Sequence, residues 1–379
     1  MLTVSVNSYA QNRIPQGIHV GLVYPMSTHG THAPLDTNFL SLHAIAGVSA
    51  AERGVAVSGF ATVIKHDITG IAVSGFANIV RQKSQGVLVS GFANIYRDAV
   101  GFQISGFANI ASENVDGGQF AGFLNVAKKF TGAQVAGFSN IARDVDGSQF
   151  SGFYNVGREI TGSQFAGFSN IAGQSVNGSQ FSGFINKAEN VKGSQFAGFI
   201  NLAKKVKGAQ IAGFINIADS SDCPIGFLNL IKHGEKSIGV SIDETQTTLL
   251  SFRSGGKSMY GILGLGYNFE NTKQIYALEV GLGAHFFPSA HFRMKTELAA
   301  INLEDFRRGN YFKGSLSVLP TIKIGKRLEI SGGPTLNYVS TTTTEGRNLS
   351  DHYIKTWLNN RNHFQGAYIG YLGVLSFKL

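Results

Sequence analysis

A chain of 379 residues that is 43% hydrophobic, with 48 Gly, 29 Phe and only 15% charged residues, carries enough apolar material for a sizeable core. It is not a disordered chain, and its composition favours tight β turns over long helices. The formal net charge of +9 contains no run of five like charges, which argues for a solvated, mildly basic surface and against a nucleic-acid partner. A single cysteine, Cys223, excludes an internal disulfide and reads as a small buried hydrophobe.

No apolar run approaches the roughly 18 residues a membrane helix requires, so any crossing of a bilayer falls to strands. The start, "MLTVSVNSYAQNRIP", has a short apolar stretch and then Ser8-Tyr9-Ala10, a small-x-small site of the kind signal peptidase cuts. Residues 1–10 are therefore expected to be the remnant of an export signal, the alternative being an ordinary terminus. In "GIHVGLVYP" the residues Ile18, Val20, Leu22 and Tyr24 alternate with Gly17, His19, Gly21 and Val23. That pattern predicts a first strand of a membrane barrel at 17–25, with a cap on the following repeats as the alternative.

Residues 40–233 are a repeat array. Phe follows Gly at Phe60, Phe76, Phe92, Phe107, Phe123, Phe138, Phe153, Phe168, Phe184, Phe199, Phe214 and Phe227, mostly 15 or 16 residues apart. Two residues later stands Asn78, Asn94, Asn109, Asn125, Asn140, Asn155, Asn170, Asn186, Asn201, Asn216 or Asn229, with Thr62 as the exception. Gln occupies the position four before Phe from Gln103 to Gln210. A fixed period of this length marks a stacked array, and an all-β solenoid is expected, with a one-strand-per-repeat meander as the alternative. Each coil is expected to hold two strands, "QFAGF" and "IAxxV", joined by turns at the Asn and at the mid-repeat Gly. Stacking at the strand spacing puts like residues in columns and makes a solenoid on the order of 55 Å long. The Phe column, Phe76 through Phe214, is expected to fill the core, while the Asn column passes side-chain amide hydrogen bonds between coils and the Gln column forms a second ladder. "FLSLHAIAGVSAAERGVAVSGF" reads as a degenerate first coil, with His43 and Ala44 in the Gly-Phe positions and Ala46 in the Asn position. The inserted Pro224 marks the far end.

From about Ser237 the period changes to two. In "IYALEVGLGAHF" Tyr276, Leu278, Val280, Leu282, Ala284 and Phe286 share one face, and Ala277, Glu279, Gly281, Gly283 and His285 the other. "HFRMKTELAA" and the final "AYIGYLGVLSFKL" split the same way. Long strands with aromatics near their ends, and small or charged residues on the second face, predict an antiparallel outer-membrane β-barrel of about eight strands over 237–379 rather than a soluble sandwich. If 17–25 is its first strand, the solenoid is an insertion exposed outside the cell.

The repeat "GxQxAGFxNIA", the stretch "LHAIAGVSAAERGVAVSGFA" and "PIGFLNLIKHG" followed by "SIGVSIDETQTTLLSFRSGG" resemble the surface repeat-containing proteins of Gram-negative bacteria, a family seen in spirochaetes and Bacteroidota. The resemblance covers most of residues 17–265. It implies a surface or outer-membrane location and supplies no catalytic residues; this chain departs from many outer-membrane proteins in ending on Leu379 where Phe is commoner.

Little in the sequence speaks for chemistry. His29 and His32 have metal-ligand spacing only in the loosest sense, and no third ligand follows nearby. Glu279, Arg293, Lys295 and Glu297 are expected to pair with one another inside the barrel. "GLGYNF" lacks the Lys-Ser/Thr of a phosphate loop, and no Gly-x-Ser-x-Gly elbow occurs. The reading is a non-enzymatic protein without a cofactor, held in outer-membrane lipid and presenting its repeats to a protein partner. The alternative is a transporter or enzyme using the barrel lumen.

Overall fold

Three short strand segments, not two, make each coil. In the coil that starts at Gly147 they are the end of Ser139–Ser151, then Tyr154–Gly157, then Glu159–Thr161, with corners at Gly152-Phe153, Arg158 and Gly162-Ser163. The computed structural model, which describes residues 17–256, 258–271, 275–305, 310–350, 352–360 and 363–379, is all-β, with a solenoid of about 13 turns and a closed eight-stranded antiparallel barrel. Residues 1–10, expected to be an export remnant, lie outside the described residues. Two compact units divide the chain at Gln174.

In the first unit, parallel pairing stacks like on like: Gly117 on Gly132 on Gly147, Gln119 on Gln134 on Gln149, and Asn125 on Asn140 on Asn155. The mid-repeat glycines supply what the stacking demands. Gly132 has a φ of 119°, and a Cβ there would overlap the carbonyl oxygen of Gly117. The interior columns are Gln, a small Ala or Ser, Asn, Ala and one larger apolar residue, the last being Val115, Phe130, Val145 and Ile160. Asn is not at a turn as expected; it sits within a strand and points inward.

The expected Phe core is wrong. Phe76, Phe92, Phe107, Phe123, Phe138, Phe153, Phe168, Phe184, Phe199 and Phe214 stand on the outside, with Phe153 40% exposed. The reason is the path of the coil. Along Gln149-Phe150-Ser151 the side chains alternate in, out, in, and Gly152 then turns the corner, from which Phe153 projects. The rings stack instead on one another, with centroids 4.6–5.0 Å apart from Phe60 to Phe168 and planes within 9° of parallel.

The first-strand expectation is also overturned. Ile18–Val23 pairs in parallel with Thr37–Ser49, Ile18 opposite Leu40 and Val20 opposite Leu42, and so forms part of the first coil. Alternating apolar and small residues serve an exposed solenoid side as well as a lipid-facing wall, and Ile18 and Val20 open the outer columns continued by Val55 and Val57. In the degenerate coil Gly47, not Ala46, takes the Asn register opposite Thr62, and Ala44 takes the Gly register beneath Gly59.

The second unit contains further coils and the barrel. Its strands are β1 (Glu235–Asp243), β2 (Thr247–Gly255), β3 (Met259–Asn268), β4 (Tyr276–Phe286), β5 (Phe292–Glu304), β6 (Tyr311–Ile324), β7 (Leu328–Thr341) and β8 (His363–Lys378). Each pairs antiparallel with the next, and β1 pairs with β8 to close the ring. Closure leaves no edge for Ile18–Val23 to fill. The last coil, Gly226–Ile231, packs on the barrel near the β2–β3 turn. The backbone N–H of Asn229 donates to Ser254 Oγ at 3.0 Å, and a Cβ on Gly261 would overlap the carbonyls of Gly226 and Phe227. The terminal coil thus finds partners for an edge that would otherwise be open.

Candidate functional site

The Asn residues form a ladder. Nδ2 of Asn78, Asn94, Asn109, Asn125 and Asn140 each donates to Oδ1 of the next at 2.9 Å, and Asn155 to Asn170 at 3.0 Å. Asn186, Asn201, Asn216 and Asn229 continue the pattern within the second unit at 2.8–3.0 Å. The second Nδ2 hydrogen reaches a backbone carbonyl of the following coil, as from Asn140 to Phe150 O at 2.7 Å. All of these Asn side chains are 0% exposed, so both amide hydrogens and the oxygen are satisfied by protein alone.

The Gln ladder runs the other way. Gln134 donates back to Gln119 at 2.6 Å, Gln149 to Gln134 and Gln164 to Gln149 at 2.8 Å, and Gln195 to Gln180 at 2.8 Å. At its head Gln119 donates to the Tyr96 hydroxyl at 2.6 Å, and burial pushes that phenol's pKa up. Nothing in these columns is a nucleophile or a titrating acid or base.

The barrel lumen holds the charges. Arg253 makes a two-pronged pair with Glu297 at 2.9 and 3.0 Å, joined by the Tyr260 hydroxyl at 2.7 Å. Arg293 bridges Glu235 and Glu329, both at 2.7 Å, and Lys295 reaches Glu329 at 2.9 Å. Lys313 meets Asp243, and Glu279 accepts from Ser251. Of the four charges singled out in the sequence, all lie inside, but they pair mainly with Arg253, Glu235 and Glu329 rather than with each other. Those partners were legible as the inward positions of neighbouring strands once the register was known.

His29 and His32 do not converge. His32 is exposed in the short 3-10 helix Gly30–Leu35, whereas His29 stacks on His19 with centroids 4.4 Å apart. His43 meets His19 edge-on, also at 4.4 Å, and Nε2 of His19 lies 2.9 Å from Ser27 Oγ. Beside them Glu52 accepts from Ser41 at 2.8 Å and from Asn38 at 3.3 Å. Sequence reasoning missed this cluster because its members belong to different coils; the inward position of His19 in an alternating strand was the available signal. Burial, then the neighbouring His43 and His29, lowers the His19 pKa to about 4; burial also lowers that of His43 and raises that of Glu52. Among the described residues no group of three or more His, Cys, Asp or Glu side chains has metal-holding geometry.

Comparison with protein-family profiles, with curated proteins and with solved structures returns no match to this chain.

Proposed function

We propose that the protein is a non-enzymatic outer-membrane protein: the barrel spans the bilayer and the solenoid is a rigid module for protein interaction or envelope structure. The observation that carries this reading is the inversion of the barrel. Its buried side chains include Arg253, Glu279, Arg293, Lys295, Glu297, Lys313 and Glu329, while Leu250, Leu265, Val280, Leu298, Leu316 and Leu336 are exposed. A water-soluble barrel of this pattern would face solvent with its most apolar surface. Aromatics stand at both ends of the wall, Tyr267, Tyr276, Phe312 and Tyr338 at one and Phe286, Phe292 and Phe377 at the other, as interfacial girdles do. The strands, of 9 to 16 residues, meet the span length of about 9–11. A lumen filled by ion pairs counts against the transport reading.

Loop lengths favour the periplasm for the solenoid, contrary to the extracellular expectation, which depended on Ile18–Tyr24 entering the barrel. At the end where β1 begins, the chain passes from Gly255 to Met259, from Phe286 to Phe292 and from Ile324 to Leu328; at the other it passes from Asp243 to Thr247, from Asn268 to Tyr276, from Glu304 to Tyr311 and from Thr341 to His363, the last by way of a short helix, Thr344–Arg347, and a strand, Lys355–Asn360. Outer-membrane barrels keep short turns on the periplasmic side, and the solenoid joins β1 at the short-turn end. The test is density fractionation of cells with impermeant maleimide labelling of Arg158→Cys in a Cys223→Ser background. Outer-membrane recovery, with labelling only after permeabilisation, is expected. Recovery in a soluble fraction would overturn the membrane reading, and labelling of intact cells the periplasmic one.

A further inference from the structure

The outer surface of the solenoid is divided by chemistry. In the coil starting at Gly147 the outward residues of the first two sides are Ser148, Phe150, Phe153 and Val156, with Tyr154 half-buried, and those of the third are Arg158, Glu159 and Thr161. The other coils repeat the division. The position after Gln, the ridge Phe and the position after Asn are apolar in coil after coil from Gly101 to Ile231, with Lys187 the one charged residue among them. Charges such as Arg143, Asp144, Lys204, Lys205 and Lys207 keep to the third side. Ile95, Ile110, Phe120, Phe150, Ile171, Phe199 and Ile217 are all 36–41% exposed. An apolar surface of this continuity marks an interaction site.

From this we infer that the coils of the second unit seat their two apolar sides, with the Phe ridge between them, in the acyl boundary of the lipid leaflet from which the barrel emerges. The inference rests on the membrane-barrel reading. Two observations select lipid over a protein. The apolar sides diverge from a ridge, so a flat partner or a second copy covers one side, whereas a deformable phase covers both. Secondly, the edge of the last coil abuts the outer wall of the barrel. Arg253 and Tyr260 point into the lumen, so Ser254 and Gly261 lie on the outer side, and it is these two that the last coil covers. The second unit's solenoid therefore begins against the wall that carries Leu250 and Leu265. An amphipathic surface with charges confined to one side is the arrangement of an element lying in a membrane interface.

The test uses the full chain with Cys223→Ser, reconstituted in phosphatidylethanolamine–phosphatidylglycerol vesicles containing spin-labelled acyl chains. A fluorophore is placed singly on cysteine at Phe199, Ile217, Lys205 or Leu265. Ile217 keeps the experiment decisive if Phe199→Cys does not fold. Lipid quenching at Phe199 and Ile217 several-fold above that at Lys205, and comparable with Leu265, is expected. Quenching at Leu265 alone overturns the seating and leaves the barrel in the membrane. An unquenched Leu265 overturns the barrel reading and the seating with it. Protection of Ile217 that depends on protein density and not on the spin label overturns the inference in favour of a second copy.

Discussion

Replacing Asn140 by Ala tests whether the amide ladder, and not the aromatic column, holds the coils together. The substitution removes the acceptor of Asn125 Nδ2, the donor to Asn155 Oδ1 at 2.9 Å and the donor to Phe150 O at 2.7 Å, all in a site with 0% exposure. Each orphaned buried group costs about 1–3 kcal/mol, so the three together cost on the order of 3–9 kcal/mol; Asn125 keeps the bond of its other amide hydrogen to Val135 O. Phe153→Ala removes a ring that is 40% exposed, so only about half of the roughly 3–5 kcal/mol for a fully buried Phe is lost. Arg158→Ala breaks a half-exposed pair with Asp144 and costs about 0–1 kcal/mol. Urea-dependent pulse proteolysis of the repeat region in the full chain gives the midpoints. With a slope of about 1–3 kcal/mol/M, the Asn140 variant should shift by more than about 1 M and the Arg158 variant by little. A larger shift for Phe153→Ala than for Asn140→Ala would refute the assignment of inside and outside.

Gly132→Ala meets both a positive φ and the Gly117 carbonyl and should destabilise the same region by more than about 2 kcal/mol, whereas Ser148→Ala should be near neutral; protease midpoints decide it. The N-terminal coil should loosen in acid: His19 is held neutral with a pKa of about 4 against 6.5 unfolded, so stability present above about pH 6.5 is lost as pH falls towards 4, with Glu52, whose carboxyl burial pushes up, opposing. Hydrogen exchange of amides 18–23, corrected for intrinsic rates, should show this slope, and His19→Gln should reduce it; an unchanged slope would count against the cluster. In the barrel, Glu297→Ala should cost about 3–5 kcal/mol by stranding Arg253, and the double variant Arg253→Met/Glu297→Leu should cost less than the single one, read as the temperature at which the barrel loses its compact form on SDS gels.

Period and register were legible in the sequence; direction was not. Fixed spacing identified the columns, because stacked coils must repeat their positions, and strict alternation identified the two faces of β4 and β5. Which way a column points depends on the route of the coil between corners, and here the usual hydrophobic rule misleads. Gln149 and Phe150 are neighbours on one strand, and it is the Gln that is buried. A single buried Gln would be penalised for its unmet hydrogen bonds. Repetition removes the penalty, since each copy supplies the partner of the next. The misassignment of Ile18–Val23 has a related cause: an exposed apolar column is needed by both the solenoid and the barrel, so the alternation alone does not distinguish them.

Both parts of the chain pair polar groups inside and carry apolar columns outside, although the solenoid also buries an apolar column, Val145 and Ile160 among it, and keeps its charges on its outer third side. In the barrel the pairing is between opposite charges such as Arg253 and Glu297; in the solenoid it is between identical amides. Inward pairing of this kind is stable in any solvent, because it relies on partners within the chain and not on water. The outward apolar columns are different. Phe153 gains only a partial contact from its stacked neighbours Phe138 and Phe168, and the remaining exposed area is favourable only where water is absent. The position after Asn is Ile, Val or Leu in all but one coil from Asn78 to Asn229. On the membrane reading proposed above, lipid would take the place of water along those outer columns, while the paired amides inside hold the coils together.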